Sequence, residues 1–253
     1  MIRQGADGRV AVVTGAASGM GRATAVHLAE RGWRVVAVDL RDDALAWCTG
    51  NDAVAPLAAD IATEEGNAAM VALAEERFGG LDGAVLNAAV IAAGPIDQLP
   101  IEQLDRMYQV NLRGVVLGIR AVLPALRRRG GGAISVTSSM GGTEGETYNW
   151  AYGATKAGVI NLAQSVAMEV GREGIRVNVL CPGPIQHTGM SSSAEETAGV
   201  YDGVKGLTAL KRWGEPEEIA SVHEFLLSPA SSYVTGATIL VDGGVTAGHT
   251  WVG

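Results

Sequence analysis

The feature that most constrains the fold of this chain is an alternation of short β-branched runs with longer segments of helical periodicity. The runs are apolar throughout rather than at every second residue, which indicates strands buried on both faces. Such strands, separated by helices, predict a parallel sheet covered on each side. We expect strands at Val10–Val13, Val35–Val38, Ala84–Leu86, Ala133–Val136, Val177–Leu180 and Thr238–Val241. We expect helices at Met20–Arg31, Glu64–Phe78, Ile101–Arg128, Trp150–Gly171 and Glu215–Leu227.

The length of 253 residues fits one large α/β domain or two small ones. A hydrophobic content of 47% is ordinary for a folded globular protein. The chain contains no internal repeat and no linker long enough to divide it. We therefore predict a single α/β domain over residues 1–253, with a doubly wound, Rossmann-like parallel sheet and helices on both faces.

One segment interrupts the alternation. The residues from Pro182 to about Lys211 are rich in Gly, Ser, Thr and Glu, and they form too long a stretch for an ordinary connection. Long loops in compact domains often cover a site, so we predict a flexible substrate loop at about 184–211. A variable surface excursion is the alternative.

An apolar stripe runs along the fourth predicted helix. Its members follow the i, i+3, i+7, i+11 spacing of a buried face. The stripe fits packing into the core and fits a contact between subunits equally well, so both remain open. The four residues are Val159, Leu162, Val166 and Val170.

The charge balance argues against several partners. A net charge of −8 disfavours nucleic acid and anionic membrane surfaces, because both select for a basic face. No continuous apolar stretch reaches the ~18–20 residues of a membrane span, and Arg120 interrupts the longest candidate, Gly114–Leu123. We expect neither nucleic acid nor membrane as a partner.

The polar segment Met1–Arg9 lacks the apolar stretch of a secretory signal. Cys48 and Cys181 are the only cysteines, too few for a disulfide framework, so a cytoplasmic location is expected. No metal site is expected, because the histidines are scattered without metal-ligand spacing. These histidines are His27, His187, His223 and His249.

A glycine-rich turn joins the first predicted strand to the first predicted helix. Gly15, Gly19 and Gly21 allow the backbone to turn sharply and to approach a ligand closely. The helix that begins near Gly19 presents unpaired N–H groups and a positive dipole end to a diphosphate. A glycine triplet alone is a weak signal, so the strand before it and the helix after it carry the argument.

The second predicted strand ends at Asp39, eighteen residues after Gly21. An acidic side chain at this point accepts both ribose hydroxyls and repels a 2′-phosphate, so NAD(H) is expected rather than NADP(H). Arg41 lies two residues later and weakens this preference, which leaves an NADP-tolerant reductase as an alternative. Capping of the following helix is another role open to Asp39.

Tyr152 and Lys156 stand four residues apart in a run of good helix formers, with Ser139 upstream. Side chains at this spacing project from one face of a helix. A cation beside a phenol favours the phenolate and lowers its pKa, which suits proton transfer near neutral pH. Two surface residues that happen to fall at helical spacing are the alternative.

With the glycine turn, Asp39, Ser139, Tyr152 and Lys156 in this order, the sequence resembles the short-chain dehydrogenase/reductase family. The resemblance extends over nearly the whole chain, from about residue 8 to residue 244. Further matches to family motifs are Thr14–Gly21 for Thr-Gly-x-x-x-Gly-x-Gly, Asp60-Ile61 for the adenine contact, Asn111 for the helix asparagine, Pro182–Ile185 with Thr188 for the nicotinamide segment, and Asp242–Gly244 for the C-terminal signature.

The chain departs from the family pattern at one place. The usual Asn-Asn-Ala-Gly after the fourth strand reads Leu86-Asn87-Ala88-Ala89. Asn87, which the resemblance expects to steady the sheet near the cofactor, is retained. The methyl group of Ala89 is expected to weaken cofactor binding and to leave the proton chemistry unchanged.

The resemblance implies an NAD(H)-dependent oxidoreductase that interconverts a secondary alcohol and its ketone. Tyr152 is then the general acid in reduction and the base in oxidation, and Lys156 lowers its pKa and holds the nicotinamide ribose. Ser139, with Ser138 as a rival, hydrogen-bonds the reacting oxygen, and Asn111 binds a water on the proton path. The implied cofactor contacts are Gly15, Ser18, Gly19, Met20, Gly21, Asp39, Leu40, Asp60, Ile61, Asn87, Ala88, Tyr152, Lys156, Pro182, Gly183, Ile185 and Thr188.

The same resemblance assigns a substrate pocket to two stretches, one before Tyr152 and one after Ile185. A carboxylate beside an indole suits a hydroxylated or cationic ring, whereas Trp and Met side chains suit a flat apolar ketone. The candidate substrate contacts are Glu144, Trp150, His187 and Met190.

Two other functions on this scaffold are a lyase or dehalogenase without the cofactor, and a non-catalytic nucleotide-binding protein. The intact glycine turn and Lys156 argue against the first, and the presence of both Tyr152 and Lys156 argues against the second. The resemblance also implies a homotetramer, with the helices that carry Tyr152 and Ile219 at the contacts.

Overall fold

The structure is a computed structural model that describes residues 8–191 and 200–248. Its strands are β1 (Val10–Thr14), β2 (Arg34–Asp39), β3 (Val54–Ala58), β4 (Gly83–Leu86), β5 (Gly132–Thr137), β6 (Ile175–Pro182) and β7 (Thr238–Val241). They form one seven-stranded sheet in the order β3-β2-β1-β4-β5-β6-β7, and each of these pairings is parallel. The predicted parallel sheet is confirmed.

Helices connect these strands. They are α1 (Gly19–Glu30), α2 (Glu64–Phe78), α3 (Ile101–Met107), α4 (Gly114–Arg129), α5 (Trp150–Val170), α6 (Val200–Leu207) and α7 (Pro216–Leu227). Short 3₁₀ turns lie at Asp43–Cys48, Met140–Gly142, Gly171–Glu173 and Pro229–Ser231. Four of the five predicted helices agree with these bounds to within one residue at each end, a difference that is usual for helix ends.

Successive residues of the strands face two separate cores. Val10 and Val12 of β1 pack into a core built with α2, α4 and α5. Ala11 and Val13 pack into a second core on the opposite face, with α1. Because side chains alternate along a strand, a wholly apolar strand serves both cores at once. The prediction of helices on both faces is confirmed.

The strand order reverses beside β1. The strands β2 and β3 lie on one side of β1, and β4 to β7 lie on the other. The connections that leave β1 and β4 therefore diverge and open a crevice at the carboxyl ends of these strands, where open α/β sheets bind ligands. The glycine turn follows β1 directly and so lies at this crevice.

The sequence pattern missed β3. This strand has Pro56 at its centre, which broke the expected β-branched run. Proline is tolerated here because, among the described strands, β3 lies at the edge of the sheet and pairs with β2 alone, so one side of its backbone needs no partner in the sheet.

The single helix predicted at Ile101–Arg128 is divided in the structure. A π-helical segment at Tyr108–Arg113 joins α3 to α4. Such wide turns often occur at functional sites. By length and mean hydropathy the combined helix Ile101–Arg129 would suffice to cross a membrane, but half of its most apolar window is buried inside the protein. A core helix passes the same test.

A helix lies inside the segment that was predicted to be a loop. The helix α6 occupies part of the stretch 184–211, and residues 192–199 of that stretch lie outside the described ranges. The pattern missed α6 because its eight residues include Gly203 and Gly206, which disfavour helix. The flexibility of the segment stays a prediction.

The apolar stripe of α5 packs mainly inside the chain. Val159 and Val170 are fully buried, and Leu162 and Val166 are partly buried against the same core. Of the two interpretations left open by the sequence, core packing is therefore the one that these four residues favour.

A buried histidine links α7 to the central strand β5. The imidazole of His223 lies 2.7 Å from Ser135 Oγ through Nδ1 and 3.2 Å from Thr137 Oγ1 through Nε2. All three side chains are buried. Burial disfavours the charged ring and lowers the pKa of His223 to about 3. The ring is therefore neutral in the folded protein at physiological pH.

Acid should destabilise the protein through this histidine. Its pKa rises from about 3 in the folded chain to about 6.5 when unfolding exposes it, so unfolding takes up a proton between these values and stability is lost as the pH falls through this range. At pH 4.5 the loss amounts to about 2–3 kcal/mol. Urea unfolding from pH 7 to pH 4.5 measures it, with His223→Gln as the non-titrating control. Parallel declines in the two proteins would contradict the prediction.

Candidate active site

A cavity of about 490 Å³ opens at the carboxyl ends of the strands. It brings together the turn after β1, the segment after β4, the end of β5 and one face of α5. Twelve of the predicted site residues line it, namely Gly15, Ser18, Gly19, Met20, Gly21, Asp39, Asn87, Ala88, Tyr152, Lys156, Thr188 and Met190. The predicted cofactor end and the predicted proton-transfer pair therefore share one cavity.

The glycine turn is packed so closely that side chains are excluded from it. A Cβ on Gly21 would lie 2.0 Å from the carbonyl oxygen of Gly15, and a Cβ on Gly15 would lie 2.9 Å from Cα of Ala88. Gly15 and Gly19 also have φ of 71° and 51°, in the left-handed region that favours glycine. The turn thus brings bare backbone to the crevice.

The glycine turn leads into the N-terminus of α1, where the first N–H groups are open. Ser18 is the N-cap of α1, and its side chain makes no capping hydrogen bond. The first N–H groups of a helix lack intrahelical partners and carry the positive end of its dipole. This end of α1 can hold a diphosphate, which is the use that the sequence predicted.

Three hydrogen bonds join the turn to the segment after β4. The hydroxyl of Thr14 accepts from the main-chain N–H groups of Asn87 (2.9 Å) and Ala88 (3.1 Å), and Asn87 Nδ2 donates to the carbonyl of Thr14 (3.1 Å). The remaining amide oxygen, Asn87 Oδ1, is buried and has no hydrogen-bond partner among the described residues. A dinucleotide fits this site, because bare backbone lines the cavity together with Asn87, the residue that carries the unsatisfied oxygen.

Asp39 ends β2 and holds the glycine turn. Its Oδ2 accepts from the N–H of Ala17 (3.0 Å), and its Oδ1 accepts from the N–H of Leu40 (2.8 Å). It does not cap the next helical turn, whose N-cap is Asp42. The carboxylate lines the cavity, and Leu40 beside it is 63% exposed.

Asp60 and Ile61 lie outside the cavity lining. Asp60 Oδ1 accepts from the N–H of Ala62 (2.9 Å) in a turn after β3, and Asn67 Nδ2 donates to the carbonyl of Ile61 (2.7 Å). A Cβ on Gly114 would meet Ile61 Cδ1 at 2.4 Å, so Ile61 packs against the start of α4. Their predicted adenine contact stays a prediction.

The segment after β6 folds back over the start of α1. Gly183 donates from its N–H to the carbonyl of Val241 (3.0 Å), and a Cβ there would lie 2.5 Å from Cα of Asp242. Thr188 packs against Gly19, because a Cβ added to Gly19 would lie 3.2 Å from Cα of Thr188. Pro182, Gly183 and the buried Ile185 lie outside the cavity lining, whereas Thr188 belongs to it.

The predicted pair lies on one face of α5 and is buried. Tyr152 is 8% exposed and Lys156 is 1% exposed, so they are not surface residues at chance spacing. The ammonium of Lys156 lies 5.6 Å from the ring centroid of Tyr152 and donates to the carbonyl of Thr137 at 2.9 Å.

The electrostatics of this pair differ from the expectation. Burial raises the pKa of Tyr152 to about 12, while a hydrogen bond with Ser139 opposes the rise and the charge of Glu146 adds to it. Burial also lowers the pKa of Lys156 to about 8. The expected lowering of the Tyr152 pKa by Lys156 is thus not observed, because burial of the phenol dominates the shift and Lys156 is not among the groups that act on it.

The two serines after β5 have different partners. Ser138 is buried, and its hydroxyl donates to the main-chain carbonyl of Lys156 at 2.8 Å. Ser139 Oγ accepts from the N–H of Gly141 at 3.1 Å and is hydrogen-bonded to Tyr152. The structure brings Ser139 to the phenol, although Ser138 rather than Ser139 lines the cavity.

Asn111 lies in the π-helical segment and is fully buried. Its Oδ1 accepts from the N–H of Val90 (2.8 Å), and its Nδ2 donates to the carbonyl of Val90 (2.8 Å) and to Thr155 Oγ1 (3.2 Å). The side chain therefore ties the segment after β4 to α5. Its predicted role in holding a water stays a prediction.

The four candidate substrate residues are not brought together. Met190 lines the cavity, whereas Glu144 is exposed and outside the lining. The indole N–H of Trp150 donates to the carbonyl of Gly94 at 3.1 Å, so the side chain supports the wall of the site. His187 has φ of 58° in the turn before Thr188 and also lies outside the lining.

Several cavity residues were missed. Gln103, Arg106 and Met107 stand at i, i+3 and i+4, so they share a helical face, and this spacing before Asn111 was the available signal. The others belong to loops or strand ends without a distinctive pattern. The missed residues are Val90, Ile91, Gln103, Arg106, Met107, Thr137 and Gly189, whereas Ala89, which was expected to act on cofactor binding, also lines the cavity. Within the described ranges, no cluster of three or more His, Cys, Asp or Glu side chains suits a metal ion.

Comparison with known proteins agrees with this geometry. The family model described as enoyl-(acyl carrier protein) reductase matches residues 15–246. The chain is 36% identical over 254 residues to the levodione reductase of Leifsonia aquatica, which covers 95% of each chain. It is 38% identical over 248 residues to the cis-4-hydroxycyclohexanecarboxylate dehydrogenase of Sinomonas cyclohexanicum, which covers 94% of this chain and 97% of that protein.

Solved structures share the fold over almost the whole chain. The crystal structure of levodione reductase matches with a TM-score of 0.89 at 35% identity, covering 96% of this chain and 99% of that one. A gluconate 5-dehydrogenase from Burkholderia cenocepacia, solved in complex with NADP and tartrate, matches with a TM-score of 0.90 at 30% identity, covering 96% and 97%.

Proposed function

Because the chain belongs to the short-chain dehydrogenase/reductase family and its relatives act on alcohols and ketones, we propose that it is an NAD(H)-dependent oxidoreductase for a secondary alcohol and its ketone. The observation that carries this proposal is the buried Tyr152–Lys156 pair in the same cavity as the glycine turn. When bound, the nicotinamide cofactor supplies or accepts the hydride.

Proton transfer is assigned to Tyr152. In ketone reduction the neutral phenol donates its proton to the substrate oxygen, while the hydroxyl of Ser139 hydrogen-bonds that oxygen. In alcohol oxidation the phenolate takes the proton back. A pKa of about 12 keeps Tyr152 protonated at neutral pH, which is the form that ketone reduction requires.

Lys156 and the glycine turn position the reactants. We assign the ribose of the nicotinamide half to Lys156, whose ammonium is buried beside Tyr152 and held by Thr137. The open end of α1 is assigned to the diphosphate, and Asp39 to the ribose of the adenosine half. The protein thus contributes position and charge, and the proton path uses Tyr152.

For the substrate we propose a six-membered ring that carries a hydroxyl or keto group and an acidic substituent. The name of the Sinomonas relative describes such a ring with a carboxylate. The cavity supports the acidic group, because Arg106 lines it and has no carboxylate partner among the described residues. Val90, Ile91 and Met190 supply apolar walls for the ring.

Turnover should be measurable with cis- and trans-4-hydroxycyclohexanecarboxylate and with the corresponding ketone, followed by NADH absorbance. The acid should exceed cyclohexanol in kcat/KM by about tenfold or more, because a neutral ring gains nothing from Arg106. The rate of alcohol oxidation should rise as the pH increases above 7, because more phenolate forms. The rate of ketone reduction should not depend on this increase, because it uses the neutral phenol. Equal rates with both alcohols would remove the acidic substituent from the proposal.

Tyr152→Phe is the matched control for this assay, since it removes only the phenol oxygen. We expect turnover to fall by a factor of about 10² to 10⁴ and NADH fluorescence binding to change little. Retained activity in Tyr152→Phe would show that Tyr152 is not the proton donor and acceptor. NADH binding without turnover in the wild type would favour the non-catalytic alternative, and turnover without NADH binding would favour the lyase or dehalogenase.

Preference for NAD(H) should depend on the charge of Asp39. In Asp39→Asn, the ratio of kcat/KM with NAD to kcat/KM with NADP should fall by about tenfold or more, because repulsion of a 2′-phosphate is lost. Asp42→Asn changes a nearby exposed carboxylate outside the cavity and should leave the ratio unchanged. An unaltered ratio in Asp39→Asn would count against the cofactor assignment.

The homotetramer remains a proposal, with contacts through α5 and through α7 and β7. Met168 on α5 is 87% exposed, and Phe225 on α7 and Leu240 on the edge strand β7 also expose apolar surface. Ile219 itself is buried in the core of its own chain. Sedimentation should give a tetramer for the wild type and smaller species for Met168→Glu and Phe225→Glu. A monomeric wild type would exclude it.

A reducing, cytoplasmic compartment is also proposed. It is supported by two free cysteines, Cys48 and Cys181, which are both buried in the folded chain.

A further inference from the structure

The buried imidazole of His223 lies behind the active-site lysine. Its two ring nitrogens meet Ser135 Oγ at 2.7 Å and Thr137 Oγ1 at 3.2 Å. Ser135 and Thr137 are two residues apart on β5, so their side chains project from the same face of the sheet. The ring therefore spans two successive positions of the central strand, next to the end of that strand.

This arrangement is demanding for a residue that serves packing alone. A buried polar ring is tolerated only when its nitrogens are hydrogen-bonded, and a neutral imidazole has one donor and one acceptor to satisfy. Burial lowers the pKa of His223, and the nearby Glu224 of α7 is hydrogen-bonded to His27 of α1 instead. Among the described residues, the hydrogen-bond partners of the ring are the hydroxyl groups of Ser135 and Thr137.

Thr137 connects this ring to the catalytic cavity. Its side chain meets His223, its main-chain carbonyl accepts from Lys156 Nζ at 2.9 Å, and the residue lines the cavity. Thr137 pairs with Leu180 of β6, whereas the ladder between β4 and β5 ends one residue earlier, at Val136. The strand end that holds the lysine thus lacks a sheet partner on one side.

We propose that His223 is a positioning residue, which fixes the end of β5 so that the carbonyl of Thr137 holds the ammonium of Lys156 in place. The inference rests on the proposed function, in which Lys156 serves the cofactor and Tyr152. The groups that act electrostatically near Lys156 are Cys181 of β6, with Tyr152 on its own helix. The carbonyl of Thr137 is therefore the main fixed acceptor for the buried ammonium.

The test is a direct titration of Lys156. The chain has three lysines, Lys156, Lys205 and Lys211, so NMR of protein labelled with ¹³C at the lysine ε-carbon gives a simple spectrum. The buried lysine should titrate near pH 8 in the wild type. In His223→Leu its pKa should fall by about half a unit or more, because a displaced carbonyl stabilises the charged form less. This readout requires no activity.

NADH affinity and kcat/KM should change together with the pKa of Lys156. In His223→Leu we expect NADH to bind more weakly and kcat/KM to fall by between about tenfold and a hundredfold. His223→Gln offers a donor and an acceptor and should restore most of both. Ser135→Ala removes the hydrogen bond that lies farther from Lys156 and leaves one ring nitrogen of His223 unpaired, which lowers stability. It keeps the ring itself, so it tests the bridge without opening a cavity at His223, and it should shift the Lys156 pKa in the same direction by less.

An unchanged Lys156 pKa and unchanged NADH affinity in both His223→Leu and Ser135→Ala would overturn the inference, even if the melting temperature falls, since that outcome describes a packing residue. A different result would contradict the proposed function. In that case the wild-type protein would show no turnover, while substitution of His223 would still shift the pKa of Lys156.

Discussion

The site depends on the clamp between the ends of β1 and β4. At this point the chain turns to opposite sides of the sheet, and the hydroxyl and carbonyl of Thr14 hold the segment that begins at Asn87. Without these bonds the glycine turn and the wall of the cavity would belong to separate loops. With them, the close backbone approach at Gly15 and the position of Asn111 against Val90 become parts of one preorganised unit.

The proton-transfer end is governed by burial rather than by attraction. Desolvation moves the pKa of Tyr152 up and that of Lys156 down, so both groups are driven towards their uncharged forms. Such opposed shifts are typical of sites where function sets the local environment. The ammonium is retained because a main-chain carbonyl, which cannot titrate, accepts its hydrogen bond. The buried ammonium of Lys156 therefore depends on this hydrogen-bond acceptor to stay charged.

The sequence predicted the parts that follow from periodicity and fixed spacing. Helix α2 was found at its observed bounds, and the residues of the glycine turn meet the Tyr152–Lys156 pair in one cavity. What it missed depends on tertiary context. An edge position makes Pro56 acceptable in β3, and the wide turn at Tyr108–Arg113 has no signature in propensity. The pKa of Tyr152 was misjudged because spacing reveals a neighbouring cation but gives no measure of desolvation.

The two cores on opposite faces of the sheet have a practical consequence for engineering. Each core is a separate cluster of side chains, with the β-sheet backbone between them. Substitutions without shared contacts usually combine additively in their effect on stability. Stabilising changes can thus be collected independently beneath α1 and beneath α4, and a library that varies one layer leaves the sequence requirements of the other layer untouched.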